Sequence, residues 1–186
     1  MDLVATTARA RHRGARLRRA GAPAAVLAAV ALVGSSCGAS RSALAPGSIL
    51  GVDAPSRTVS LLLEANATGA LGGFNFDGYG EGQMRVRVPV GWRVEVTCTN
   101  LSSTLTHSCA VIDDSRLSPY GAPVAFRGAT TPDARVGLGF GVTARFDFVA
   151  SRVGTYRIAC LVVGHEIDGM WDWLTVTAGG RPSVST

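Results

Sequence analysis

The sequence predicts an all-β fold, a Greek-key β-sandwich of seven to eight strands carried behind an N-terminal signal and tether. Three observations lead there. Short runs alternate polar and apolar residues with the period of two that half-buried strands require. Turns bearing Gly or Pro separate these runs at close spacing, as in sandwiches. No segment behind the leader carries the 3.6-residue apolar period of a useful amphipathic helix. About 150 residues rich in Val, Phe, Ala and Leu remain there, enough for one core.

Residues 1–36 read as an export signal. Arg9, Arg11, Arg13, Arg16, Arg18 and Arg19 make a basic start, an apolar run follows over 24–33, and Gly34, Ser35 and Ser36 precede Cys37. The run falls short of the roughly 20 residues that a membrane-spanning helix needs. Cys37 behind Gly-Ser-Ser resembles the cleavage site of bacterial lipoproteins, where the cysteine becomes the lipidated N-terminus. Gly34 stands where that pattern has a leucine-like residue, so cleavage near Ala39 and an uncleaved anchor stay open as alternatives. Removing the leader leaves twelve positive against twelve negative side chains, so the sequence pI near 9.6 belongs to the signal. The basic stripe that would point to nucleic acid is therefore missing from the mature sequence.

Residues 37–56, rich in Gly, Ala, Ser and Pro, read as a flexible tether. The domain is expected over 57–178, with a tail over 179–186. Its strands are placed at 58–63, 84–88, 93–98, 107–112, 145–148, 155–160 and 171–177. Pro89, Val90 and Gly91 make the turn between the second and third, and Gly154 precedes the sixth. Residues 113–142 are irregular, a long connection with a short helix or an extra strand, and Phe126 is expected to dip into the core.

The chemistry lies in Cys160, His165 and Met170, a thiol, an imidazole and a thioether at five-residue intervals, with His107 about fifty residues upstream. Side chains alternate across a strand, so Tyr156, Ile158 and Cys160 share the apolar face, as do His107, Cys109 and Val111. Both strand ends can meet at one pole, with the loop 161–169 hanging His165 and Met170 over the same point. A lone buried Cys, His or Met is ordinarily packing. Spacing and parity together point instead to one metal ion. A thiolate and two imidazoles with a long axial thioether hold Cu(II) and Cu(I) in nearly one geometry, which suits a type 1 copper that passes one electron with little rearrangement.

Further residues support a resemblance. The segments Phe74-Asn75-Phe76-Asp77-Gly78-Tyr79, Val88 to Val96 with Trp92, His107-Ser108, Gly154 to Cys160, Gly164-His165 and Gly169-Met170-Trp171-Asp172 resemble those of sulfocyanins, which are blue copper proteins of the cupredoxin superfamily. The related rusticyanins share the four-residue gaps on either side of the second histidine. The resemblance covers roughly 58–177. It implies a cupredoxin-like sandwich with His107, Cys160 and His165 as equatorial copper ligands, Met170 as axial ligand and Ser108 hydrogen-bonding beside them. Where sulfocyanins tend to carry Gly-Val-Pro-Gly-His-Ala, this chain has Leu161-Val162-Val163-Gly164-His165-Glu166. Loss of the proline removes some loop rigidity. A Glu166 carboxylate about 10 Å from copper, at an effective dielectric of roughly 20, would favour Cu(II) by about 1.7 kcal/mol, or about 70 mV.

His165 is expected at the loop apex in an apolar collar of Leu161, Val162 and Ile167, where a redox partner docks and the electron leaves through the imidazole edge. Trp171 beside the axial ligand, and Trp173, read either as a low-dielectric shield or as ordinary packing. Cys98 and Cys109 fall on inward parities of strands expected to be neighbours, and they form either a disulfide or two buried thiols. Asp113 and Asp114 read as a solvated loop, and the acceptor-like Asn66-Ala67-Thr68 and Asn100-Leu101-Ser102 as incidental.

The expectation is thus an exported, monomeric, non-enzymatic carrier of one copper, tethered by lipid on the extracytoplasmic face of the cell membrane or free in the periplasm. Its partners are a respiratory electron donor and acceptor, of the cytochrome or terminal oxidase type. The alternative is a copper-delivery protein, which relies on exposed Met and Cys groups, whereas the mature sequence holds only Met84 and Met170. A copper enzyme would need further histidines for a second metal.

Overall fold

The computed structural model describes residues 48–186, so the leader and Cys37 lie outside the described residues. Nine strands occur among these residues: β1 (Leu50–Asp53), β2 (Thr58–Ala65), β3 (Arg85–Pro89), β4 (Arg93–Asn100), β5 (Ala110–Asp113), β6 (Thr143–Val149), β7 (Gly154–Ala159), β8 (Trp171–Thr177) and β9 (Ser183–Ser185). They form two mixed sheets, ordered β1-β2-β4-β6 and β5-β7-β8-β3-β9. The pairs β2/β4 and β3/β8 are parallel, and the other neighbours run antiparallel.

Alternation explains the sandwich. In β2 Val59, Leu61 and Leu63 are buried, in β4 Val94, Val96 and Cys98, and these meet Val86, Val88, Tyr156, Ile158, Leu174 and Val176 of the other sheet in one apolar cluster. Phe126 joins it, its ring stacked on Phe148 at 5.2 Å, as expected.

Four features differ from the sequence reading. β1 lies inside the span assigned to the tether and pairs with β2 from Leu50↔Leu61 to Asp53↔Thr58. β9 lies inside the assigned tail and adds to the edge of β3. Both are too short for alternation to register, since a neighbouring strand's backbone supplies the order. A single 3-10 turn, Ala70–Gly73, precedes Phe74. Apart from Asp113, which ends β5, residues 113–142 contain neither helix nor strand, only isolated bridges such as Ile112↔Val124 and Ala110↔Thr130. Part of that connection packs on the outer face of the second sheet, where Ala122 joins Ala110, Ile112, Ala159 and Leu161 in a second apolar cluster.

Candidate metal centre

Strand β7 ends at Ala159, and parity then turns Cys160 into the sandwich, where it is fully buried together with Ile158. The next ten residues close on themselves. His165 N–H donates to Val162 O (3.1 Å), Met170 N–H to His165 O (2.9 Å) and Cys160 N–H to Met170 O (3.2 Å). The last of these brings the two ends of the loop side by side. Gly164 (φ 92°) and Gly169 (φ 96°) take left-handed backbone that side-chain-bearing residues rarely adopt. A Cβ on Gly169 would also lie 2.9 Å from Glu81 Cγ.

His107 stands ahead of β5 rather than within it. It is held by a reciprocal backbone pair with Leu138, His107 N–H to Leu138 O (3.2 Å) and Leu138 N–H to His107 O (2.7 Å). The wholly buried Asn100 locks this segment, its Nδ2 donating to Leu105 O (2.9 Å) and Leu138 O (2.7 Å) while its Oδ1 accepts from Ser102 N–H (2.8 Å). The acceptor-like tripeptide at Asn100 is therefore structural.

The donor atoms of His107, Cys160 and His165 all lie within 4.8 Å of one another. Cys160 Sγ is 3.4 Å from His165 Nδ1, and the two imidazole centroids are 4.9 Å apart. Both ring nitrogens of the fully buried His107 lack a hydrogen-bond partner. Leaving such atoms unpaired in the interior costs free energy, and a metal ion at the shared vertex would satisfy one of the two. A thiol with two neutral imidazoles is the donor chemistry of copper, and the residues present fit that ion. Met170 is also fully buried, in the same cluster as Cys160.

Ser108 prepares the sulfur. Its N–H donates to Cys160 Sγ (3.2 Å), and its hydroxyl accepts from Leu161 N–H (2.8 Å), which leaves the hydroxyl proton free for the sulfur 3.6 Å away. Burial pushes the Cys160 thiol up, and hydrogen bonds from Ser108 and from the Val162 backbone pull it back. Burial, then the nearness of His165, lowers His107 to about 4. Burial lowers His165 too, against a smaller upward pull from Asp168. Both rings are thus neutral at pH 7 and offer lone pairs.

A titration follows from these directions. Binding of Cu(II) near pH 7 is expected to release about one proton per ion, that of Cys160, because His107 holds none until the pH falls to about 4. The apparent affinity then falls about tenfold per unit of acidification and steepens below about pH 4 as His107 starts to compete for its proton. Calorimetry in buffers of differing ionisation enthalpy counts the protons.

Three site expectations are revised. Glu166 is not an exposed charge acting on the metal: it is 1% exposed and paired with Arg157, whose Nε donates to Oε1 at 2.9 Å. The 70 mV expected of an unpaired carboxylate therefore does not carry over. Arg157, on the outward parity of β7, is itself buried, and Asp114, exposed as the sequence suggests, is its second partner. Trp171 and Trp173, in edge contact at 5.0 Å, occupy the outer face of β8 with Arg157 and Arg85 over their rings, so Trp171 packs behind the sheet and does not shield the donors. In the collar, Leu161 is buried, and the exposed apolar residues around His165 are Val163 and Ile167. His165 itself is 7% exposed.

Cys98 and Cys109 form a disulfide. Their inward parities hold, but the strands are not neighbours. β4 belongs to one sheet and β5 to the other, so the bond crosses the sandwich two residues from His107. Sequence reasoning gave Phe74 no role, yet its ring meets His165 edge-on at 4.9 Å and lies 6.4 Å from His107. Its only signal was membership in an aromatic segment.

The sulfocyanin (SoxE) domain model matches residues 46–180. A sulfocyanin of Sulfolobus acidocaldarius is 28% identical over 123 residues, covering 62% of this chain and 61% of that protein. The chain thus spans less than two thirds of that relative's length. Among solved structures, rusticyanin from Thiobacillus ferrooxidans is 21% identical, with 69% of this chain and 86% of that chain covered at a TM-score of 0.46. Auracyanin from Roseiflexus castenholzii is also 21% identical, with 63% and 96% covered at a TM-score of 0.45.

Proposed function

Because the chain belongs to the sulfocyanin family of blue copper cupredoxins, we propose that it is an exported one-electron carrier between respiratory redox partners, holding one type 1 copper on His107, Cys160, His165 and Met170. The observation that carries this reading is the convergence of one thiol and two imidazoles within 4.8 Å in the interior, with both nitrogens of His107 otherwise unpartnered. Copper bound there supplies a Cu(II)/Cu(I) couple.

The protein's own residues do the rest. Loop closure through Cys160 N–H and Met170 O holds the two ends of the loop side by side, so that Cys160 and Met170 would hold a bound copper with little rearrangement on one-electron exchange. Ser108 stabilises the thiolate, and Phe74 with the apolar core excludes water from the two rings. His165 lies nearest the surface of the three donors, and its flanking Val163 and Ile167 make an apolar rim suited to brief docking. The site makes or breaks no substrate bond. Buried donors also favour a carrier over a delivery protein, which must release its metal readily.

Export to the outer face of the membrane, with Cys37 as lipid attachment point, is part of the same proposal. The Cys98–Cys109 disulfide supports it, since such bonds persist in oxidising compartments. The partners are taken to be of the cytochrome or terminal oxidase type. Stopped-flow oxidation by a c-type cytochrome tests the route. Exchange in His165→Gly is expected to slow by at least about tenfold while copper stays bound to the remaining donors. An unchanged rate in the copper-loaded variant would contradict exit through this imidazole.

A further inference from the structure

One buried ion pair sits directly behind the metal loop and has no part in the ligand set. Arg157, 3% exposed, projects from β7 away from the core, and Glu166, 1% exposed, follows the ligand His165. Arg157 Nε donates to Glu166 Oε1 at 2.9 Å, and Nη2 lies 2.8 Å from the same oxygen but out of line for a hydrogen bond. Nη1 reaches the other way, to Asp114 Oδ1 (2.9 Å) and Ser115 O (2.6 Å). Glu166 Oε2 accepts from Ser118 N–H at 3.4 Å, and Gly164 N–H donates to Pro119 O at 2.9 Å. One guanidinium thus joins three pieces of chain: β7, the metal loop and the start of the long connection.

We propose that Arg157 and Glu166 are positioning residues for the metal loop, a buried latch that clamps the His165 segment between β7 and residues 114–119. The proposal rests on the copper reading only for its consequence at the metal. Two features favour a latch over a field effect. A guanidinium within 3 Å cancels most of the carboxylate's field at any more distant point. The geometry also needs a planar fork, because Nε and Nη1 diverge toward separate partners, and an ammonium cannot hold both. No proline stiffens the loop between Cys160 and Met170, so the latch supplies rigidity that the backbone here lacks.

Charge and shape are separated by Arg157→Lys, which keeps the charge and loses the fork, and Glu166→Gln, which keeps the shape and loses the charge. The primary readout is hydrogen exchange of the 161–169 amides in the copper-free protein, with β2 and β4 as internal reference. Both variants are expected to speed loop exchange by about tenfold or more while β2 and β4 stay within about twofold of the parent. Reduction potentials and the visible spectra of the loaded variants form the second readout, and both variants are expected to shift together. The proposal is overturned if Arg157→Lys leaves loop exchange and potential at parental values while Glu166→Gln raises the potential, which is the signature of a field effect. It is equally overturned if exchange rises as much in β2 and β4 as in the loop, which makes the pair a general stabilising bridge. Failure of the parent to bind copper would remove the copper reading and leave the exchange result standing.

Discussion

Replacing Cys160 by serine is expected to abolish the visible colour of the copper-loaded protein and to weaken copper binding by more than the roughly 10–100-fold typical of losing a partner that merely orients a ligand. The thiolate is the soft donor of the set and the one that favours Cu(I), so a hydroxyl in its place removes both the charge and the covalency of the bond. The site cannot compensate. Ser108 N–H and the Val162 backbone are arranged to donate to sulfur, and no other free thiol occurs among the described residues. The fold should tolerate the change, because Cys160 N–H to Met170 O is a backbone bond and Ile158 and Tyr156 stay packed. Absorption spectroscopy and a competitive chelator titration measure the two losses, and circular dichroism of the metal-free variant checks that the sandwich is intact.

The second large effect belongs to the cross-sheet bond. The loop it closes has a sequence separation of 11, for which loss of chain entropy in the unfolded state gives about 3 kcal/mol. Cys98→Ala/Cys109→Ala is therefore expected to destabilise the copper-free domain by about 3 kcal/mol, lowering Tm by roughly 10 °C. The loss should also reach the metal. Cys109 follows His107 and Ser108 by one or two residues, and its link to Cys98 pins that segment to the opposite sheet, while on the other side the segment is held by Leu138 and Asn100. Copper dissociation should quicken in the double variant, whereas a change confined to Tm would mean that Leu138 and Asn100 hold His107 unaided. Chelator-driven copper release, followed beside thermal unfolding, separates the two outcomes.

These effects trace back to features of very different legibility. The Cys160–His165–Met170 spacing and the parity of β7 are local, so the sequence alone placed the sulfur on the core face and hung the loop above it. His107 was recognisable by residue type, but its support was not. It depends on Leu138, thirty-one residues later, through a bridge that no local period encodes. Parity likewise put Cys98 and Cys109 inward correctly while leaving open which sheet each strand joined, and so a bond between the sheets was read as one between neighbours. Arg157 was the instructive miss. Parity alone puts it on the outward face of β7, but the 114–119 segment and the metal loop cover that face. Glu166 was misjudged for the same reason, because a carboxylate's field depends on a partner that only the tertiary structure supplies. β1 and β9 escaped notice because strands of three or four residues carry too little alternation to read.

The central claim is that His107, Cys160 and His165 form one site for a single redox-active copper. A titration of the copper-free protein with Cu(II), followed in the visible range and then reduced with one electron equivalent, tests it most directly. The account predicts an intense thiolate-to-copper band that saturates at one ion per chain, bleaches on reduction and returns on reoxidation. A protein that stays colourless at saturation, or whose copper uptake is unchanged after Cys160 is blocked by alkylation, would contradict it.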